Sequence, residues 1–186
     1  MSTAKKLVAA ASSLLDSGGE NAVTLRAVAQ AVGVSYNAPY KHFESRKSLL
    51  AAVIAEDFLM LSDAFRNLRE STAAPIDKLR CALKVFADFG QEKPARYRLM
   101  ANHDGHGDSV EEAAFSTFVE FAAIVEECRV AADLPDVSGT NLAGLIFATL
   151  HGLISLDANA RLKPEKGLTS IGESMDLLLG LLRPSK

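Results

Sequence analysis

The sequence predicts an all-α protein of about nine helices, with a small helical head at residues 1–48 and a larger helical body at residues 49–186. Three observations support this class. Apolar residues recur three and four positions apart through most of the chain. No run alternates strictly between apolar and polar, and no Asn-Gly or Asp-Gly pair separates two β-branched runs. The breaks between apolar runs fall at Gly or Pro, or at Ser and Thr residues suited to capping.

In order, a first helix at residues 3–17 puts Leu7, Ala10, Ala11, Leu14 and Leu15 on one face and stops at Gly18-Gly19. Thr24 caps a second helix at residues 25–32, with Val23 and Val28 as a hydrophobic staple, and Gly33 supplies a left-handed turn. Ser35 caps a third helix running to residue 43, with Pro39 in its first turn. Ser45 caps a fourth, to residue 69. Pro75 opens a fifth, to residue 92, and Pro94 a short sixth through Tyr97 and Met100. Residues 101–108 read as a loop; residues 109–132, 141–160 and 168–182 complete the set.

Composition excludes several classes. The 186 residues carry 20 Lys and Arg against 23 Asp and Glu, a net charge of −3, so the chain is not a generally basic nucleic-acid coat. At 48% apolar and 23% charged it is neither a disordered tail nor a membrane protein. Its two cysteines, Cys81 and Cys128, form no disulfide framework and no C-x-x-C pair. The longest uncharged apolar stretch, residues 141–156, falls short of the roughly 20 residues a bilayer span needs, and no cleavage-like tail follows the first helix. A cytoplasmic protein with no membrane partner is expected. No nucleophile elbow, P-loop, Rossmann glycine run or H-E-x-x-H is present, so neither catalysis, a cofactor nor a metal is assigned.

Charge is unevenly distributed. The first 50 residues hold six Lys and Arg against three Asp and Glu, a basic head on an acidic body, which suits a head that meets a polyanion. The second and third helices, joined at Gly33, form a helix-turn-helix candidate. Its second helix carries Ser35, Tyr36, Asn37, Tyr40, Lys41 and His42, side chains able to reach base edges and phosphates. Arg46 and Lys47 open the fourth helix, where the dipole disfavours cations unless an anion visits; Thr24 and Arg26 form a second, weaker anion site.

These residues resemble a known family. Thr24-Leu25-Arg26-Ala27-Val28-Ala29, Val32-Gly33-Val34-Ser35, Ala38-Pro39-Tyr40-Lys41-His42-Phe43 and Arg46-Lys47-Ser48-Leu49-Leu50 closely resemble the DNA-binding head of TetR-family transcriptional regulators. The resemblance covers roughly the first 50 residues and implies a nine-helix subunit, a homodimer through the last two helices, and an effector site in the body. It implies that Ser35, Tyr36, Asn37, Tyr40, Lys41 and His42 contact operator DNA from the recognition helix, with Thr24, Arg26 and Lys47 on the backbone. Pro39 stands where many members have a bulky residue. Leu150-His151-Gly152-Leu153-Ile154-Ser155-Leu156 resembles the WHG type of C-terminal domain, with Leu150 in place of the tryptophan.

Leu145, Leu153, Leu156, Met175, Leu178 and Leu182 are the expected dimer contacts, and Gly144 and Gly152 let a partner helix approach. Phe86, Phe89, Tyr97, Met100, Phe115, Phe118 and His151 are candidates for a small-molecule effector, although aromatic stripes at helical spacing are more often plain core and His151 more often a satisfied buried histidine. Residues 103–108, with two histidines and two aspartates, read as a pocket lid, a metal site or neither. The functional expectation is a repressor released from an inverted-repeat operator by a largely apolar effector. The alternatives are a helical protein-interaction module and a DNA-binding regulator with no small-molecule effector.

Overall fold

The computed structural model describes residues 1–102, 107–131, 134–167 and 169–183, and among these every regular element is helical. Eight α-helices follow in order: α1 (Thr3–Gly18), α2 (Leu25–Val32), α3 (Arg46–Glu70), α4 (Pro75–Glu92), α5 (Pro94–Ala101), α6 (Asp108–Val130), α7 (Gly139–Ala158) and α8 (Ile171–Leu182). Short 3-10 turns lie at Glu20–Ala22, Pro39–Lys41 and Pro164–Lys166.

The stretch expected as a continuous third helix is instead a series of tight turns. A helix capped at Ser35 needs the residue-39 N–H to reach the Ser35 carbonyl, and Pro39 has none. The Ser35 carbonyl accepts from Ala38 N at 2.9 Å, and Lys41 N and His42 N likewise reach three residues back, to Ala38 O and Pro39 O. Proline removes the four-residue bond to Ser35 and the turn tightens to three, and the four-residue pattern returns only at Phe43 N, which bonds Pro39 O at 2.9 Å.

The chain divides into two compact units, Met1–Met60 with Lys93–Phe115, and Leu61–Glu92 with Ser116–Lys186. In the first unit α1 packs on α2 and α5 around Leu7, Ala11, Leu15, Val28, Leu49 and Ile54. An ion cluster ties three helices of this unit. Asp57 on α3, 1% exposed, accepts from Arg96 on α5 through both guanidinium ends, Nε at 2.9 Å to Oδ2 and NH2 to Oδ1. Asp16 on α1 takes Lys93 Nζ at 3.0 Å and Arg96 NH1 at 3.5 Å. Burial pushes the Asp57 carboxyl above its ordinary value, and Arg96 opposes that rise.

In the second unit α4, α7 and α8 pack on one another. Gly90 on α4 lets α7 approach, since a Cβ there would lie 2.6 Å from Ile154 Cγ2. The last turn of α3 is held by buried Lys78, whose Nζ donates to the Arg69 carbonyl at 2.6 Å and to Glu127 at 3.1 Å, while Arg69 and Arg66 bond Glu120. With 20 residues, α7 is long and apolar enough to cross a membrane by length and composition, beyond the shorter stretch counted in the sequence. Its Leu142, Ala143, Ile146, Leu150, Leu153 and Ile154 are buried within their own unit.

Candidate nucleic-acid interface

The first unit presents an exposed polar face built around one turn. Thr24, extended at φ −126°, caps α2 by accepting from Ala27 N at 3.0 Å, a bond worth about 1 kcal/mol. At the other end Gly33 adopts φ 74° and ψ 33°, a left-handed conformation that costs glycine little, and its N–H closes on the Ala29 and Gln30 carbonyls. The chain then turns back so that Pro39 and Phe43 are buried. Those two anchors leave Ser35, Tyr36, Asn37, Tyr40, Lys41 and His42 exposed. The phenolic rings are the conspicuous members, 52% exposed at Tyr36 and 62% at Tyr40. Each ring carries a hydroxyl that can donate or accept in water.

Arg26, at the second position of α2, lies with its guanidinium carbon 4.8 Å from the Tyr36 ring centroid. Such a stack contributes about 0.5–1 kcal/mol at an exposed site. Arg26, Tyr36, Asn37 and Tyr40 together line an open hollow of about 330 Å³. Exposed Lys47 sits at the start of α3, where Ser45 and Ser48 cap each other reciprocally at 3.1 Å.

Arg46 departs from the sequence expectation of a cation facing an anion beside Lys47. Its Nε donates to Val23 O at 2.7 Å, and its NH2 reaches Glu20 O at 2.5 Å and the Glu20 carboxylate at 3.1 Å. It fastens the 3-10 turn before α2 to α3 through its Nε and NH2 groups. Thr24 likewise has its hydroxyl oxygen committed to the cap, leaving the O–H to donate outward.

In the second unit an aromatic cluster forms between α4, α6 and α7. Phe147 is its hub, 5.4 Å from Phe86, 5.7 Å from Phe118, 5.8 Å from Phe121 and 4.3 Å from the His151 ring. Of the seven effector candidates the structure brings together Phe86, Phe118 and His151. Phe89 is buried on α4. Tyr97 and Met100 are buried in the first unit, where burial pushes the Tyr97 phenol up to about 12. Phe115, 69% exposed, stands in solvent. Burial pushes the His151 imidazole down to about 4, so it is neutral at pH 7. Phe147 was missed because α7 is apolar nearly all round, and periodicity cannot tell which face meets the other aromatics. The loop expected as lid or metal site has residues 103–106 outside the described residues. Among the described residues no group of three His, Cys, Asp or Glu could hold a metal ion.

The expected dimer contacts separate into two sets. Leu153 and Met175 are buried in the unit's own core, where α4, α7 and α8 pack on one another. Leu145 is exposed and Leu156, Leu178 and Leu182 are half-buried; Leu177 and Leu181, absent from the sequence-derived set, are exposed beside them. A Cβ at Gly144, Gly152, Gly172 or Gly180 would meet nothing within 4 Å.

Two family models match this chain, the bacterial regulatory proteins of the tetR family at residues 7–53 and the tetracyclin repressor-like C-terminal domain at residues 79–182. The chain belongs to the TetR family. Head and body are therefore those of a family of DNA-binding, ligand-responsive transcriptional regulators. Among curated relatives, this TetR-family chain is 30% identical over 99 residues to the HTH-type transcriptional activator FasR of Mycolicibacterium smegmatis, a match spanning 53% of this chain and 45% of that protein. The chain spans about half the length of the curated relatives it matches. Among solved structures, a Rhodococcus sp. RHA1 protein of unknown function superposes with a TM-score of 0.83 at 27% identity, covering 99% of this chain and 97% of that one. Thermus thermophilus FadR, a transcriptional repressor solved in complex with lauroyl-CoA, shares the fold with a TM-score of 0.67 at 18% identity, covering 96% and 92%.

Proposed function

We propose that this protein is a homodimeric repressor that holds an inverted-repeat operator and releases it when a small, largely apolar effector enters its body. The observation that carries this reading is the solvent-exposed row of Tyr36, Asn37, Tyr40, Lys41 and His42, supported from behind by Pro39 and Phe43. Tyr, Asn, Lys and His on such a face can read base edges, while Thr24 and Lys47 steady the phosphates. Two copies joined through the exposed leucines and open glycines of α7 and α8 set two such faces about 34 Å apart, or a multiple of that spacing.

Support for an apolar effector comes from the half-buried Phe118, Phe147 and His151, a neutral aromatic wall in the second unit. Thermus thermophilus FadR, which shares this fold, is solved in complex with lauroyl-CoA, a ligand whose acyl chain is apolar. The 25-residue α3 runs continuously from the first unit into the second. An effector that favours one setting of this helix over another shifts DNA affinity by the difference in its own affinity for the two settings. Activation in place of repression is the second reading, favoured by the name of the Mycolicibacterium smegmatis relative.

Retention of operator fragments selected from random duplex DNA tests the reading. Tyr40→Ala and Lys41→Ala weaken operator binding with the dimer intact. Lys47→Ala weakens all sequences about equally and lowers the salt slope by about one. If Tyr40→Ala and Lys41→Ala both bind operator as tightly as the parent, the recognition face lies elsewhere.

A further inference from the structure

We propose that Glu120 on α6 is a positioning residue for the effector response, clamping the segment that carries part of the aromatic wall to the last turns of α3. This rests on the effector reading above and names the path by which filling the wall reaches α3.

One short segment of α6 faces both ways. Phe118 and Phe121 pack on Phe147 of α7 at 5.7 and 5.8 Å. Phe121 also meets Phe65 of α3 at 5.9 Å. Between them in sequence, Glu120 turns to α3: Oε1 accepts from Arg66 Nε at 3.3 Å and Oε2 from Arg69 NH1 at 2.5 Å. All of these residues lie in the second unit. A ligand pressing on Phe118 or Phe147 therefore displaces the same turn of α6 that holds α3. The helix so held begins in the first unit, where Arg46 bonds the turn before α2.

The chemistry of the clamp suits transmission. Apolar ring contacts are non-directional and tolerate sliding, whereas charge-assisted hydrogen bonds fix distance and direction. With one oxygen on each of two arginines a turn apart, the carboxylate sets α6 both along and across α3. Burial opposes ionisation of Glu120, and Arg69 and Arg66 overcome it, holding the carboxyl below its ordinary value. The Glu120 side chain is 14% exposed, while those of Arg66 and Arg69 are 46% and 38% exposed. Pairs so open to water contribute little to foldedness, so the clamp can change partners without unfolding the subunit. The tie at Lys78 differs, since it bonds the end of α3 to Glu127, two turns beyond the aromatic segment.

A double-mutant cycle on the full-length chain tests the clamp, read as affinity for the selected operator duplex with no ligand added. Phe118→Trp enlarges the wall from within and stands in for an occupant. It weakens operator binding about fivefold or more in the parent and less than about twofold in Glu120→Gln. Arg69→Met, which removes the same contact from the other side, repeats the Glu120→Gln result. Glu120→Asp, which keeps the charge at shorter reach, restores part of the response. Lys78→Met lowers the melting temperature yet leaves the response to Phe118→Trp at its parental size, a split that a merely structural Glu120 would not give. The clamp is overturned if Phe118→Trp weakens binding equally in the parent and in Glu120→Gln, or if Lys78→Met abolishes the response as Glu120→Gln does. Phe118→Trp without effect on the parent's operator binding overturns control of α3 by this wall, and the clamp with it. A parent that enriches no operator overturns the DNA-binding reading itself.

Discussion

Replacing Arg96 with methionine isolates the energetics of the buried ion cluster. Methionine keeps an unbranched apolar stem but leaves Asp57, 1% exposed, without its guanidinium partner. A charge stranded in that position is removed by taking up a proton, so the penalty has a ceiling. Protonating an aspartate of ordinary value 3.8 costs about 4 kcal/mol at pH 7 and about 1.5 kcal/mol at pH 5. The folded variant then holds a proton that its unfolded chain releases, so its stability falls as pH rises above 3.8. Urea unfolding of parent and Arg96→Met between pH 5 and 7 measures this difference, with other titrations cancelling between the two proteins. The gap widens by about 1.4 kcal/mol per pH unit, reaching a large share of the roughly 5–15 kcal/mol that holds a typical domain folded. Adding Asp57→Asn to Arg96→Met flattens the profile. A gap below about 1 kcal/mol at pH 7, or one that does not change with pH, would refute the claim that Asp57 is a buried charge kept ionised by Arg96.

Three further outcomes follow from the second unit. Gly90→Ala drives a methyl into Ile154 and destabilises the fold by about 1–3 kcal/mol in a thermal melt, with Ile154→Val restoring part of the loss. Burial holds His151 down to about 4 in the folded chain against an ordinary 6.5, so the parent keeps its full share of stability above pH 6.5 and loses up to about 3 kcal/mol of it as pH falls towards 4. His151→Phe removes that part of the acid loss in denaturant titrations. Leu181→Glu, at an exposed position, retains the helical circular-dichroism spectrum but shifts sedimentation from dimer to monomer, a loss Leu153→Glu cannot report cleanly because Leu153 is core.

The all-helical class and the helix order were legible because amphipathic spacing and caps are local signals. Thr24 and Gly33 cap α2 from both ends as their residue types predict. Pro39 shows the limit of that logic. The missing N–H falls on the bond that defines the first α-turn, so Ala38, Lys41 and His42 bond three residues back and the four-residue bond returns only at Phe43. Arg46 shows another limit. Its partners Val23 and Glu20 are more than twenty positions away, and no spacing rule finds a tertiary hydrogen bond. The aromatic cluster was half legible, since Phe86, Phe118 and His151 stand out in the sequence while Phe147 is one apolar residue among many on α7. Leu153 and Met175 were assigned to the dimer because composition counts apolar residues without saying which way they point.

The turns between Gly33 and Phe43 are secured from behind, by a left-handed glycine, a buried proline and a buried phenylalanine. The six outward side chains from Ser35 to His42 add only ring contacts, Tyr36 with Arg26 and His42 with Phe43. Selection can therefore exchange them at little cost in foldedness, and a gene copy can acquire a new target site while its scaffold stays the same.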